Sequence, residues 1–165
     1  MTTSRRRTSA STPVIHAVLA RDASLVMSAL EAGADINERD SDGRTALHHA
    51  TIEGEERLVD LLLGRTAQPA LADHEGWTPL HYAARGYELP IARRLLDAGA
   101  PVDVLDAHGN TPLFRAVFDS RGRGEMIRLL LQAGADRDRK NRHGTSPWDL
   151  AETISNYDVK QWFGR

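Results

Sequence analysis

Seven histidines and 23 carboxylates are the side chains here that could carry acid–base or metal chemistry. Two of them, His48 and His81, stand 33 residues apart in matching surroundings. A catalytic imidazole needs a reacting group on one ring nitrogen and an orienting group on the other. Phe114 fills the same slot one period further on, so the slot requires no titration. His74, His108 and His143 form a second series, each one or two residues before a glycine. Units stacked about 10 Å apart would hold these rings too far from one another for a single zinc ion bound at about 2 Å. No Gly-x-Ser-x-Gly elbow, phosphate loop or His-Glu-x-x-His pair occurs, and Arg121-Gly122-Arg123-Gly124 lacks the strand, spacing and helix of a dinucleotide loop. With no cysteine, thiolate sites and disulfides are excluded. No catalytic residue, metal or cofactor is expected.

The segments that position these residues repeat. Gly43-Arg44-Thr45-Ala46-Leu47-His48 returns as Gly76-Trp77-Thr78-Pro79-Leu80-His81 and as Gly109-Asn110-Thr111-Pro112-Leu113-Phe114. A second marker, Gly-Ala-Asp or a variant of it, keeps the same phase at Gly33, Thr66, Gly99 and Gly134. Two markers with one period indicate a repeat array, and the period with its Thr-Pro-Leu-His opening resembles the ankyrin repeat family. That resemblance implies an all-α repeat solenoid, a stack of helix-turn-helix units with hairpin fingers, each unit burying its apolar face against its neighbours.

Units starting at Thr12, Thr45, Thr78, Thr111 and Ser146 give about five repeats, the terminal ones degenerate caps. Each Thr or Ser supplies a hydroxyl for the free amides of a first helical turn, and Pro13, Pro79, Pro112 and Pro147 follow where a missing N–H costs nothing. Gly33, Gly99 and Gly134 suit the left-handed residue that ends a second helix. Thr66 is β-branched and poorly suited to positive φ, which predicts an altered turn there, reinforced by Pro69. Two additional residues within 119–124 predict a protruding, mobile loop. In the last unit a short second helix is expected near 157–163, with Trp148, Trp162 and Phe163 inward and Asp149 at the outer end.

A 41% hydrophobic, 27% charged composition is that of a soluble globular chain. No run approaches the length of a membrane span, and the arginines 5 to 7 precede no apolar export segment. Residues 1–11 are expected to be a disordered basic tail before a domain at 12–165. That tail carries three arginines and no acid, leaving −5 on the remainder of a chain whose formal charge is −2. A weakly acidic body argues against nucleic acid as a partner. The lack of cysteine fits a reducing compartment, and a cytoplasmic, monomeric protein is expected.

What the framework leaves free is the finger tips and the ends of the first helices. In the ankyrin family these surfaces form one concave palm, which places Asp42, Arg44, Ile52, Glu53, His74, Glu75, Trp77, Arg85, His108, Asn110, Phe118, Asp119, Arg142 and His143 as candidate partner contacts. Aromatic and arginine side chains dominate interface energetics. The expected function is therefore recognition of another protein without chemistry, as an inhibitor or self-protection protein or as an adaptor that also uses the tail or the Arg121 loop. Trp77 is expected outside the inter-repeat core. Asp35-Ile36-Asn37 resembles the segment hydroxylated in eukaryotic ankyrin repeats, but Ala29 replaces the leucine expected eight residues upstream, and Asn37 is expected to bond within its own turn.

Overall fold

The computed structural model describes residues 12–164, so the tail at 1–11 lies outside the described residues. Nine helices follow in pairs: α1 (Pro13–Leu19) and α2 (Ala23–Glu31), α3 (Ala46–Ile52) and α4 (Glu56–Gly64), α5 (Pro79–Gly86) and α6 (Leu89–Asp97), α7 (Pro112–Phe118) and α8 (Glu125–Gln132), and α9 (Pro147–Thr153). The last pairs with a 3-10 turn, Val159–Phe163, in place of the expected second helix. First helices stack α1-α3-α5-α7-α9 in one layer; α4, α6, α8 and the 3-10 turn stack in the other.

The 33-residue period is the period of the core. Val14, Leu47, Leu80 and Leu113 are in phase and buried, as are Ala17, Ala50, Ala83 and Ala116 one helical turn on. Val26, Val59, Ala92 and Ile127 do the same for the second layer. Alanine at the crossing points lets backbones approach, and the leucines fill the space between units. Two helix starts use the expected chemistry directly, the Thr111 hydroxyl accepting from the Phe114 amide at 3.2 Å and the Ser146 hydroxyl from the Asp149 amide at 3.0 Å, whereas the Thr12 side chain makes no capping hydrogen bond. Asp149, expected only as an outer-end charge, also caps its helix. Its carboxylate accepts the Ser146 amide at 2.9 Å and closes a capping box.

Two expectations about turns are corrected. Thr66 does not alter its turn: it takes φ 66°, beside Gly33, Gly99 and Gly134 at 82–92°. The amides of Thr66 and Ala67 reach the carbonyls of Leu63 and Leu62 as Gly99 and Ala100 reach Leu96 and Leu95. Nothing lies within 4 Å of a Cβ built on any of the three in-phase glycines, so space tolerates the side chain and only backbone strain opposes it. The second is the 119–124 loop, which is clamped. Trp162 Nε1 donates to the Gly122 carbonyl at 3.1 Å, and the Tyr87 hydroxyl lies 2.8 Å from the Arg123 carbonyl and 3.1 Å from that of Ala116. The Arg123 guanidinium covers the Tyr87 ring at 3.9 Å. Gly124 runs so close beneath Trp162 that a Cβ would lie 2.1 Å from its ring.

The closing unit packs as its aromatics suggest. Phe163 is buried, with Trp148 half-buried and edge-on to it at 5.3 Å, and Trp162 half-buried against the same core. Arg137 lies over Trp148 at 4.1 Å. Among the described residues no helix is long and apolar enough to cross a membrane.

Candidate functional site

Each finger is built on one carboxylate or amide. Asp73 Oδ1 accepts from the amides of Glu75 and Trp77, and Asp106 Oδ1 from those of His108 and Asn110. Asp40 and Asn141 repeat the pattern at the neighbouring fingers. Adjoining fingers join through the backbone: His74 N–H to Asp42 at 2.9 Å, Ala107 to Glu75 at 2.8 Å, Arg142 to His108 at 3.0 Å. That approach requires glycine at position 109, where φ is 79° and a Cβ would lie 2.9 Å from the Arg142 nitrogen.

The second oxygen of each finger carboxylate reaches the first helix nine residues on. Asp40 meets His49 at 2.8 Å, Asp73 accepts from the Tyr82 hydroxyl at 2.6 Å, and Asp106 pairs with Arg115. Burial alone would raise the Asp106 pKa, but the Arg115 hydrogen bond and the amides of Asn110 and His108 hold it below the usual carboxylate range. Burial, with the bond to Asp73, pushes the Tyr82 hydroxyl up to about 12. These acids are consumed by the scaffold.

So are the two matched histidines. His48 Nδ1 accepts the Thr45 amide at 3.0 Å, which leaves the proton on Nε2, donated to the Trp77 carbonyl of the next unit at 3.0 Å. His81 does the same between Thr78 and the Asn110 carbonyl at 3.1 and 3.2 Å. Burial depresses both to about 4. Each ring is thus a neutral tie between repeats.

What faces solvent is a concavity of about 300 Å3 between fingers and first helices. Trp77 and Tyr82 form its floor with ring centroids 4.9 Å apart. Arg115 lies 4.5 Å and Arg85 5.7 Å from the Trp77 ring centre, and Arg44 donates to the Tyr82 hydroxyl at 3.2 Å. His108 and Glu75 complete the rim.

Of the sequence candidates, Asp42, His74, Glu75, His108, Arg142 and His143 are exposed on fingers, and Ile52, Arg85 and Phe118 are exposed at helix ends. Arg44 and Trp77 are half-buried in the concavity rather than free of the packing. Asn110 is corrected: at 6% exposure, its side chain bonds Asp106 and Asn141 and belongs to the framework. Glu53 is exposed but engaged by Arg21 of the preceding unit at 2.9 Å. Asp119 is half-buried, and that burial raises its pKa. Asn37 also departs from expectation, accepting from the Gln68 amide of the next unit at 2.9 Å. Tyr82 and Arg115 were not singled out by sequence; the in-phase series Asp40, Asp73, Asp106, each with a polar partner nine residues later, is the signal that finds them. Among the described residues no three His, Asp or Glu side chains gather as metal ligands.

Capped helix pairs tied through neutral imidazoles, with an open polar concavity on one side, define a stacked-repeat solenoid. The family model for ankyrin repeats matches residues 2–73 and 58–141, and the chain belongs to the ankyrin repeat family. Repeats of this family are in general protein–protein interaction modules. No curated protein matches the chain.

Proposed function

We propose that this chain binds a single partner protein through its concave face and silences that partner by covering it, an inhibitory or self-protecting role without chemistry of its own. The observation that carries the reading is the exposure of Phe118, 64% open to solvent one helical turn beyond Arg115 of the aromatic and arginine-lined concavity. A large apolar side chain so exposed, beside groups favoured at interfaces, is stabilised by a partner. Stacking fixes the surface before the partner arrives, so little ordering entropy opposes association. Buried acids and neutral imidazoles within the framework leave the surface suited to contact rather than catalysis.

An adaptor is the second reading. It rests on the 119–124 loop, whose clamps present the exposed Arg121 in a fixed shape suitable for a second protein. Affinity capture with the intact chain, followed by reconstitution of the complex and assay of the captured partner, separates the two. One stoichiometric partner whose activity disappears on binding, and returns when the chain carries Trp77→Ala and Phe118→Ala, supports the inhibitor. Simultaneous binding of two partners, one lost with Trp77→Ala and the other with Arg121→Ala, supports the adaptor. Capture that survives all three substitutions overturns both.

A further inference from the structure

Leu19, Ile52, Arg85 and Phe118 follow one another at intervals of 33, each in the last turn of a first helix. All four are exposed, the apolar three at 49, 42 and 64%. With adjacent units about 10 Å apart, Ile52 and Phe118 stand about 20 Å apart with Arg85 between them. The row is apolar, apolar, cationic, apolar.

Arg85 differs from the other two arginines of the concavity. Arg44 pairs with Asp42 and Asp73, and Arg115 with Asp106. No carboxylate among the described residues comes within 4 Å of Arg85. It overhangs the wall of the concavity above Trp77, with the guanidinium of Arg115 on the same ring. Asp73 and Asp106, which answer Arg44 and Arg115, have side chains only 2 and 0% exposed, so they meet those arginines from below and leave the upper faces to an incoming group.

We infer that the palm receives a partner segment bearing a carboxylate side chain flanked by apolar residues, the carboxylate entering between Arg85 and Arg115 over Trp77 and the apolar groups covering Ile52 and Phe118. This rests on the reading of the palm as the protein-binding face and supplies the chemistry of its partner. A guanidinium is the side chain suited to a planar carboxylate, and the low-dielectric floor of Trp77 and Tyr82 strengthens such a bond. Glu75 on the finger rim and Asp119 beyond the helix end, whose carboxyl feels Arg85 and Arg115, flank the approach on either side and leave the gap between the two guanidiniums as the place an anion enters. A basic segment would meet three guanidiniums and is rejected by the same groups.

Selection of random twelve-residue peptides from a display library on the intact chain, on Arg85→Glu and on Phe118→Ala tests this. Arg85 and Phe118 are exposed and make no hydrogen bond through their side chains, so both variants should melt like the parent. Peptides selected on the parent should share one Asp or Glu between apolar residues. A synthetic peptide of the commonest such sequence should lose at least tenfold in affinity when that acid becomes its amide, or when Arg85→Glu is the receptor, and selection on Arg85→Glu should return Lys or Arg at the acid position. Peptides that bind without an acid but weaken on Phe118→Ala would overturn the carboxylate and leave the palm as the binding face. Peptides indifferent to both substitutions, or no selection above background, would overturn the proposal together with the palm reading.

Discussion

Thr66 holds a backbone conformation that its β-carbon opposes. Left-handed φ costs a non-glycine residue about 1 kcal/mol or more, so Thr66→Gly should raise stability by about 1 kcal/mol in urea titration, despite the added freedom of the unfolded glycine. A lower midpoint would show that the side chain contributes something the turn needs. The sequence contained this position but suggested the wrong outcome: hydrogen bonds from Thr66 and Ala67, supported by packed helices on both sides, outweigh one residue's preference. His48 and His81 carry a second residue-scale consequence. Burial lowers each from 6.5 to about 4, so between those values the unfolded chain binds more protons than the folded one. Their contribution is complete above about pH 6.5 and is lost as pH falls toward 4, by about 3 kcal/mol per ring at most. Urea midpoints should drop steadily from pH 7 to pH 4.5, and His81→Phe, which copies the natural Phe114, should flatten that slope. A midpoint that stays constant down to pH 5 would mean the rings are accessible to protons in the folded chain.

At the scale of elements, the clamped loop was hidden from the sequence because its tethers lie far along the chain: Tyr87 is 36 residues before the carbonyl it meets and Trp162 is 40 beyond its own. Local composition, rich in glycine and arginine, reported only the loop's freedom to bend. Trp162→Ala should release it, speeding amide exchange across 120–124 with a loss of about 2 kcal/mol, less than a fully buried tryptophan because Trp162 is only half-buried. Exchange unchanged from the parent would assign the loop's shape to its own Arg123-to-Ser120 turn bond. Helix starts, by contrast, were readable, since the Thr-Pro pair states its chemistry within two residues. The palm was readable in part. Exposed helix ends such as Ile52 and Phe118 follow from the period alone, whereas Asn110 was misplaced because its role depends on Asn141, 31 residues away.

For the whole molecule, stability is a sum over neighbours, and the ends decide whether the sum is positive. Removing 146–165 strips α9 and the 3-10 turn from α7 and α8, uncovering an apolar face whose burial, at about 25 cal/mol per Å2, is worth several kcal/mol. The truncated chain should aggregate or melt in a broad early transition by circular dichroism; a sharp melt at the parent temperature would refute the capping role. Leu80→Ala, at the centre of the stack, should cost about 2–5 kcal/mol without broadening the transition. The period, interrupted only by two additional residues in the fourth unit, made the number of units readable, because self-similarity is a property of the chain as a whole. The seams between those units are not equal, however. Imidazoles rivet the second unit to the third and the third to the fourth, but Ile15 and Phe114 fill that slot in the first and fourth units and leave each joined to the next without one. Drawn taut from its two ends, the protein is a spring with a soft coil at each end: the terminal units would peel away first at low load, while the riveted middle, which carries Trp77 and Arg85, keeps its shape.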